Sequence, residues 1–311
     1  MIIPMPTIKK KAAGVTLIEL MIVLVIAAVL VAGVYSLFIT QHRSYAVQDQ
    51  VAGAQQDARA ALDIMGRDIR MAGFGVGAGS GSGFTDGTGA VVINGFSFAV
   101  NPTNRTDAPD TLTVVLGAVA LGTVSGVTGN TVTLTSAAST TTPVFFSFDL
   151  LPGRLYQGTM SDNTTINISS TGFPSGTGKI IGGKAYGVQA ITYSVTAPNG
   201  SPGLGVLRRN ENTGSGAQPL AGDGITTFVE ELQFAYQVQG DTTNWWNTSA
   251  AAGATNDAIT MVRINLIVRT AVEDTKDQNY TRPTLEDHDE STTEDGYRRR
   301  VYTTEVKVRN L

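Results

Sequence analysis

The chain has 311 residues, contains no Cys, and carries a formal net charge of −4. Without Cys it cannot form disulfides, thiolate metal sites or Cys nucleophiles. It has only two His residues, His42 and His288, which argues against a His-based zinc site. The acidic balance argues against a nucleic-acid partner, for which a basic surface is expected.

An apolar stretch near the N-terminus is the most informative segment. Residues 20–39 carry no charge and no Pro, and they are long enough to cross a bilayer core as a helix at about 1.5 Å per residue. Glu19 stands at the start of this stretch. A carboxylate in hydrocarbon costs about 3 kcal/mol on insertion scales, so we expect Glu19 to be neutralised or to have a cationic partner.

The residues before the apolar stretch are in the reverse order of a secretory signal. Residues 9–11 are all Lys and residues 12–14 are small, whereas a secretory signal places its small-residue cleavage site after the apolar part. Cleavage after Gly14 would keep the apolar stretch on the mature protein and create a free amine at Val15. Positions i and i+4 share a helix face, so this amine and Glu19 could neutralise each other, within one chain or between neighbours.

The sequence KKAAG followed by VTLIELMIVLVIAAVL resembles the cleavage signal of type IV prepilins and pseudopilins. The resemblance implies that a prepilin peptidase removes residues 1–14 as a leader, cutting between Gly14 and Val15. It also implies that Val15 becomes N-methylated and that Glu19 pairs with the amine of a neighbouring subunit during assembly. The family usually begins its mature chain with Phe rather than Val. Major pilins also commonly carry a Pro in the helix, whereas none occurs here between Thr7 and Asn101.

Residues 41–72 are mostly polar, but their apolar residues keep the periodicity of a helix. Their apolar side chains recur every three or four residues and form one stripe: Val47, Val51, Ala54, Ala58, Leu62, Met65, Ile69 and Ala72. We therefore predict one long helix, with residues 15–40 as its transmembrane or filament-core half and residues 41–72 as an amphipathic half packed on a head. The ending RDIRMAGFG resembles the PilW branch of minor pilins.

The remainder of the chain is predicted to be a Gly/Ser-rich loop at 73–90 and a β-rich head at 91–311. Strands following one long helix indicate an α+β, type IV pilin-like fold with a mainly antiparallel sheet. The predicted strands are 91–100, 111–120, 131–135, 144–151, 187–196, 204–208, 232–238, 261–270 and 301–308, with a hairpin turn at 126–130.

Several head stretches also resemble PilW: DTLTVV, GVLRRN, VEELQFAYQV, VRINLIVRT and the closing RRRVYTTEVKVRN. The resemblance implies a minor type IV pilin that helps to initiate the pilus and is incorporated near its tip. Implied partners are other minor pilins, the major pilin, a PilY-type tip protein, the prepilin peptidase and inner-membrane lipid. The protein would span the inner membrane once with its head in the periplasm, and would reach the cell surface after assembly.

Two alternative functions share this N-terminus or this anchor. One is a minor pseudopilin of a type II secretion system, similar to the J component. The other is a membrane-anchored binding protein or adhesin that never polymerises.

No arrangement of residues predicts an enzyme, a cofactor or a firm metal site. Neither His is placed beside an acid by any known motif, and no nucleophile is paired with a base. The acidic stretch EDHDESTTEDG at 286–296 offers Asp287, Asp289 and Glu294 as weak candidates for Ca²⁺, but a solvated hairpin tip is the favoured interpretation. The stretch TTNWWN at 242–247 is predicted to be a loop whose two Trp residues form either an exposed contact surface or a core plug.

Overall fold

The computed structural model describes residues 15–77, 83–140, 142–176, 178–197, 205–214, 216–222, 227–274, 278–289 and 293–309. Gly14 and the rest of the predicted leader lie outside these residues, as do residues 78–82 of the Gly/Ser-rich loop. The chain divides into two units, Met1–Asp49 and Gln50–Leu311.

The first element is the helix α1, Leu17–Met71. Thr16 caps its start, because the Thr16 hydroxyl oxygen accepts a hydrogen bond of 3.3 Å from the backbone N–H of Glu19. That N–H has no acceptor within the helix, which is why Thr is favoured at this position. Gly73, with a φ of 79°, lies just beyond the end of α1 and donates its N–H to the carbonyl of Val115.

The N-terminal unit presents the apolar part of α1 uncovered. An 18-residue window of this helix has a mean hydropathy of 3.0, and none of it is buried. The side chains from Val15 to Phe38 are exposed on every face, so this part needs lipid or another apolar partner to cover it. The helix is long and apolar enough to cross a membrane.

Within the second unit, α1 buries the stripe that its periodicity predicts. Ala54, Ala58, Met65 and Ile69 are at most 5% exposed. The small residues allow the helix to approach the sheets closely: a Cβ on the buried Gly66 would lie 3.5 Å from Val306. The predicted packing of this part of the helix on the head is confirmed.

The head contains thirteen strands in its described part, and every pairing between them is antiparallel. They are β1 (Val100–Thr103), β2 (Thr111–Thr128), β3 (Thr131–Leu134), β4 (Phe145–Phe148), β5 (Tyr156–Asp162), β6 (Thr165–Ile168), β7 (Lys184–Thr196), β8 (Val206–Asn210), β9 (Gln218–Ala221), β10 (Thr227–Val238), β11 (Asp241–Trp246), β12 (Ile259–Thr270) and β13 (Arg299–Lys307).

The strands form two sheets that share a core with the helix. The larger sheet runs β1-β2-β3-β6-β5-β4-β7-β8-β9, and an added β2–β7 pairing closes six of these strands into a ring with its own apolar interior. The smaller sheet runs β11-β10-β12-β13. The main core joins the buried stripe of α1 to both sheets. The predicted α+β fold, a long helix followed by an antiparallel head, is confirmed.

Two strand predictions are wrong for identifiable reasons. Residues 91–99 do not form a strand, because Asn94 and Gly95, with φ of 51° and 92°, make a tight turn between Ile93 and Phe96. The Trp-containing stretch is the edge strand β11 rather than a loop. Residues 156–162, 165–168 and 218–221 form strands that the pattern did not predict.

The close packing of α1 predicts a contrast between two neighbouring alanines. Ala58 is fully buried and Ala60 is exposed on the same helix. Ala58→Leu should lower the free energy of unfolding by about 1–3 kcal/mol, because the added carbons have no room. Ala60→Leu should change it by less than about 0.5 kcal/mol.

Urea unfolding of the purified chain, followed by the fluorescence of the two Trp residues on β11, measures both variants. Equal midpoints for Ala58→Leu and wild type would contradict the close packing of this helix on the sheets.

Candidate assembly site

The start of α1 carries both residues of the predicted assembly pair. Val15 is 70% exposed, and Glu19 is exposed one turn further along. The cap on the helix comes from Thr16, so every residue that starts α1 lies after the predicted cleavage point. An acid in the first turn also interacts favourably with the partial positive charge at a helix N-terminus. The geometry is compatible with Glu19 remaining on a helix after cleavage.

At its other end, α1 is fixed to the head by a buried carboxylate that the apolar periodicity did not predict. Asp68 is 6% exposed and accepts hydrogen bonds from the Tyr193 hydroxyl at 2.6 Å and from Arg209 Nε at 2.8 Å. Burial and the adjacent Asp68 carboxylate raise the pKa of Tyr193. The carboxylate therefore joins α1 to β7 and β8.

The PilW-like stretches of the sequence contact one another in the structure. Asp68 of RDIRMAG binds Arg209 of GVLRRN, and Asp110 of DTLTVV accepts the backbone N–H of Phe234, in VEELQFAYQV, at 3.0 Å. Two contacts tie the closing strand β13 into the smaller sheet: Arg299 to Glu230, and the Thr303 hydroxyl to Asn265 at 2.8 Å. Polar contacts thus join stretches that are scattered in sequence.

A second buried polar group surrounds Glu231, which is 1% exposed. Its carboxylate accepts hydrogen bonds from His288 Nδ1 at 3.0 Å, from Arg282 at 2.9 Å and from the Gln233 amide at 3.1 Å. The other ring nitrogen of His288 donates to the carbonyl of Arg105 at 2.7 Å. No known motif marks an acid for His288 in the sequence, because its partner Glu231 lies on a strand distant in sequence.

Two groups in this region hold protons more strongly than usual. Burial opposes the charge on His288, but the Arg105 carbonyl and Glu231 outweigh it and raise its pKa. Burial raises the pKa of Asp110 to about 6, although the backbone N–H groups of Phe234 and Arg105 act in the opposite direction. Both ring nitrogens of His288 are occupied by acceptors, so neither is available to take a proton from a substrate.

The candidate calcium ligands are not brought together. The Asp287 carboxylate accepts a hydrogen bond from the Asn104 amide at 2.9 Å, and Glu294 is exposed. Asp289 is also exposed, and its carbonyl accepts from Arg282 at 3.0 Å. Among the described residues, which omit 290–292, no group of three His, Cys, Asp or Glu side chains could hold a metal ion.

The acidic stretch begins at a tight turn, and the favoured solvated interpretation is wrong for its first two residues. Glu286 and Asp287 are half-buried at a tight turn between Leu285 and His288. The Glu286 carboxylate accepts from the Asn265 amide at 2.6 Å and from Arg263 at 3.4 Å. Glu286 therefore binds basic and amide side chains of the smaller sheet, whereas Asp287 binds Asn104 beyond β1.

The paired Trp residues lie half-buried on β11, at one edge of the smaller sheet. The Arg263 guanidinium stacks 3.9 Å from the centre of the Trp245 ring, and the Trp246 indole N–H donates to Asp241 at 3.1 Å. Each ring is therefore fixed by a polar contact while part of its surface remains accessible.

Two family models match the chain. One, described as Type IV Pilus-assembly protein W, covers residues 192–310, from β7 to beyond β13. The other, described as a prokaryotic N-terminal methylation motif, covers residues 9–35. The chain carries a PilW domain and a prepilin-type methylation motif. Its exposed apolar helix and methylation motif accordingly indicate membrane anchoring and pilus association.

A solved structure is also similar to this PilW-type chain. A type IV-like pilin from Thermus thermophilus matches with a TM-score of 0.38 and 12% sequence identity, over 83% of this chain and 97% of that chain. No curated protein matches.

The buried carboxylate of α1 makes a testable contribution to the PilW-type head. Asp68→Ala should lower the free energy of unfolding by about 2–3 kcal/mol, because it leaves the Tyr193 hydroxyl and the Nε of Arg209 without an acceptor. The matched control is Asp63→Ala, an exposed acid on the same helix that should change stability by less than about 0.5 kcal/mol. Denaturant unfolding measures both; similar losses for the two variants would contradict the role of Asp68.

The raised pKa values predict that the head is more stable at mildly acidic pH. The contribution of His288 is complete below its usual pKa near 6.5 and is lost as the pH rises through its raised folded-state value. Asp110 acts with the same sign, since its folded state takes up a proton at about pH 6, before the unfolded chain does.

The melting temperature should therefore fall as the pH rises from 6 to 8, and His288→Gln should flatten this dependence. His42→Gln, which changes an exposed His on α1, is the control. A His288→Gln curve parallel to that of wild type would show that this His does not cause the pH dependence.

Proposed function

We propose that this protein is a minor type IV pilin that takes part in initiating the pilus and is incorporated in the filament near its tip. The observation that carries the proposal is one continuous helix, Leu17–Met71, whose first part is apolar and uncovered and whose last part is buried in a pilus-assembly head. Such a helix can leave the membrane only for another apolar environment, because water cannot cover it.

Filament assembly supplies that environment. In the membrane, lipid covers the residues from Val15 to Phe38; in a filament, the equivalent helices of other minor pilins and of the major pilin would cover them. Moving the helix from lipid to a filament exchanges one apolar environment for another, so the free energy changes little. A specific polar contact therefore has to select the correct register between neighbouring helices. Glu19 is the only charged residue between Val15 and Ile39, and it supplies this contact in our proposal.

The partner of Glu19 is the amine of Val15 on a neighbouring subunit. Prepilin peptidase creates this amine by cutting after Gly14, and methylation of Val15 keeps its positive charge. A carboxylate and an amine that are both removed from water are each costly when alone, so pairing favours the assembled state. The Lys residues of the leader favour a cytoplasmic leader, which supports a periplasmic head in this proposal.

The position near the tip rests on the PilW match and on the unbroken helix. Major pilins commonly carry a Pro in this helix, and here α1 runs without one. A PilY-type tip protein is the partner that this position implies. The framework around Asp68 and Glu231 holds the head rigid and is structural in this proposal.

The experiment compares Glu19→Leu with Glu19→Asp in a deletion strain. Glu19→Leu should insert in the membrane and be processed, because it makes the helix more apolar, but it should fail to restore pili and be absent from sheared filaments. Glu19→Asp keeps the carboxylate and should restore at least part of the piliation. Mass spectrometry of both variants should show an N-terminus at methylated Val15.

Other results would favour other functions. Recovery of Glu19→Leu in pili at the wild-type level would contradict pairing through this carboxylate. Normal pili together with lost enzyme secretion in the deletion strain would indicate a pseudopilin. Unchanged membrane function with no filament association at all would indicate an anchored binding protein.

A further inference from the structure

A groove on the second unit runs between α1 and the smaller sheet and has a volume of about 230 Å³. Its walls combine one turn of the helix with the adjoining ends of β12 and β13. The lining residues are Val51, Ala54, Gln55, Val268, Arg269, Thr270, Tyr280 and the segment 298–302 without Val301. Four of these residues are arginines, which is unusual on a chain whose net charge is negative.

Two of the four arginines are already neutralised. Arg299 binds Glu230, and it donates to both carboxylate oxygens of Asp295 at 2.6 Å. Arg298 pairs with Asp274 at 2.8 Å. These contacts fix the start of β13. The remaining positive charge of the groove therefore comes from Arg269 and Arg300.

Arg269 is the unusual member of the set. It is only 7% exposed, and its guanidinium lies 4.0 Å from the centre of the Tyr297 ring. Its Nε is buried and donates to no acceptor among the described residues. The charge of Arg269 reaches Asp295, but both oxygens of that carboxylate are occupied by Arg299. A buried N–H donor without an acceptor is costly, so a ligand that supplies an acceptor for this Nε would offset that cost.

A second unmatched donor lines the same groove. The hydroxyl of Tyr302 is buried and has no hydrogen-bond partner among the described residues. Arg300 is exposed beside it, and Arg300 and Arg59 both act electrostatically on Tyr302. Guanidinium and phenol groups can both donate to a carboxylate, which only accepts when ionised. The half-buried Val51 and Gln55 supply a wall against which an aliphatic stem can pack.

We propose that this groove binds an acidic segment of a neighbouring filament subunit, with a Glu or Asp carboxylate accepting hydrogen bonds from Arg269. A volume of about 230 Å³ admits one or two side chains, so one acidic side chain would enter the groove while the rest of its segment stays outside. The net negative charge of the chain also disfavours a large polyanionic partner. The identity of the partner as a pilus subunit rests on the proposed function; carboxylate binding by the groove does not.

The first experiment tests the groove without any filament. The full mature chain in non-ionic detergent is titrated with fluorescently labelled hexaglutamate, and anisotropy is measured at low and high salt. Saturable binding that weakens with salt is expected, with hexalysine showing none. Arg269→Gln and Arg300→Gln should each weaken binding by about tenfold, the effect typical of a lost charged hydrogen bond.

Matched variants keep this test decisive. Arg105→Gln removes an exposed arginine outside the groove and should leave hexaglutamate binding unchanged. Arg300 is exposed, so its substitution should not disturb folding even where Arg269→Gln does. Absence of saturable hexaglutamate binding to wild type, or equal binding by Arg300→Gln, would overturn the proposal. Arg300-dependent binding of glycerol phosphate without hexaglutamate binding would overturn it in favour of a lipid headgroup.

The second experiment identifies the occupant in pili. A photoreactive amino acid at Gln55, which lines the groove, is activated in piliated cells, and the cross-linked peptide is sequenced. A Glu- or Asp-containing segment of another pilin supports the proposal, whereas an uncharged or basic segment, or no cross-link in filaments that contain the protein, overturns it. If the chain is missing from filaments altogether, the proposed function fails, and the hexaglutamate titration still decides carboxylate binding.

Discussion

The burial of the C-terminal part of α1 against both sheets is the interaction on which the rest of the head depends. Ala54, Ala58 and Ala61 face the sheets with almost no side-chain bulk, and Met65 and Ile69 fill the space further along. Small residues let the helix backbone approach the strands, and the larger ones then exclude water. Without this helix the apolar faces of both sheets would be open to solvent, because the core they share with it would lose one wall.

Polar contacts then determine how the helix and the two sheets are aligned. Apolar packing is not directional, so a stripe of alanines by itself would tolerate small shifts along the helix axis. Asp68 removes this freedom, since its carboxylate has to meet both Tyr193 and Arg209. Glu231 performs the corresponding role for the hairpin at Leu285 and His288. Both carboxylates are buried, and both are fully partnered, as a folded head requires.

The buried polar contacts of the head also indicate which surfaces are available for binding. Buried acids and bases of the head satisfy one another, and His288, the residue best suited to proton transfer, has both nitrogens occupied. Two surfaces of the described residues are incompletely satisfied. They are the uncovered apolar part of α1 with Glu19, and the groove that contains Arg269. Both surfaces are suited to contacts between subunits.

The apolar and polar periodicities of the sequence were sufficient to predict the helix and most of the long strands. Local composition decides these elements: an uninterrupted apolar run is helical in a membrane, and alternating β-branched residues favour a strand wherever they pair. The Thr128–Thr131 hairpin likewise follows from Gly129 in its turn. Local patterns failed at Asn94 and Gly95, where the sequence permits both a strand and a tight turn. They also failed for the short strands β5, β6 and β9, because these become strands only by pairing with neighbouring strands.

The tertiary structure alone decided which charged residues meet. Asp68 and Arg209 are separated by 141 residues, and Glu231 and His288 by 57. No local pattern marks an acid that will be buried, because its partner is set by strand order and by the register of β10 against β12. The sequence by itself determined the prepilin-like signal, the anchor and the fold class. The buried polar framework and the arginine groove arise only when distant strands bring their side chains together.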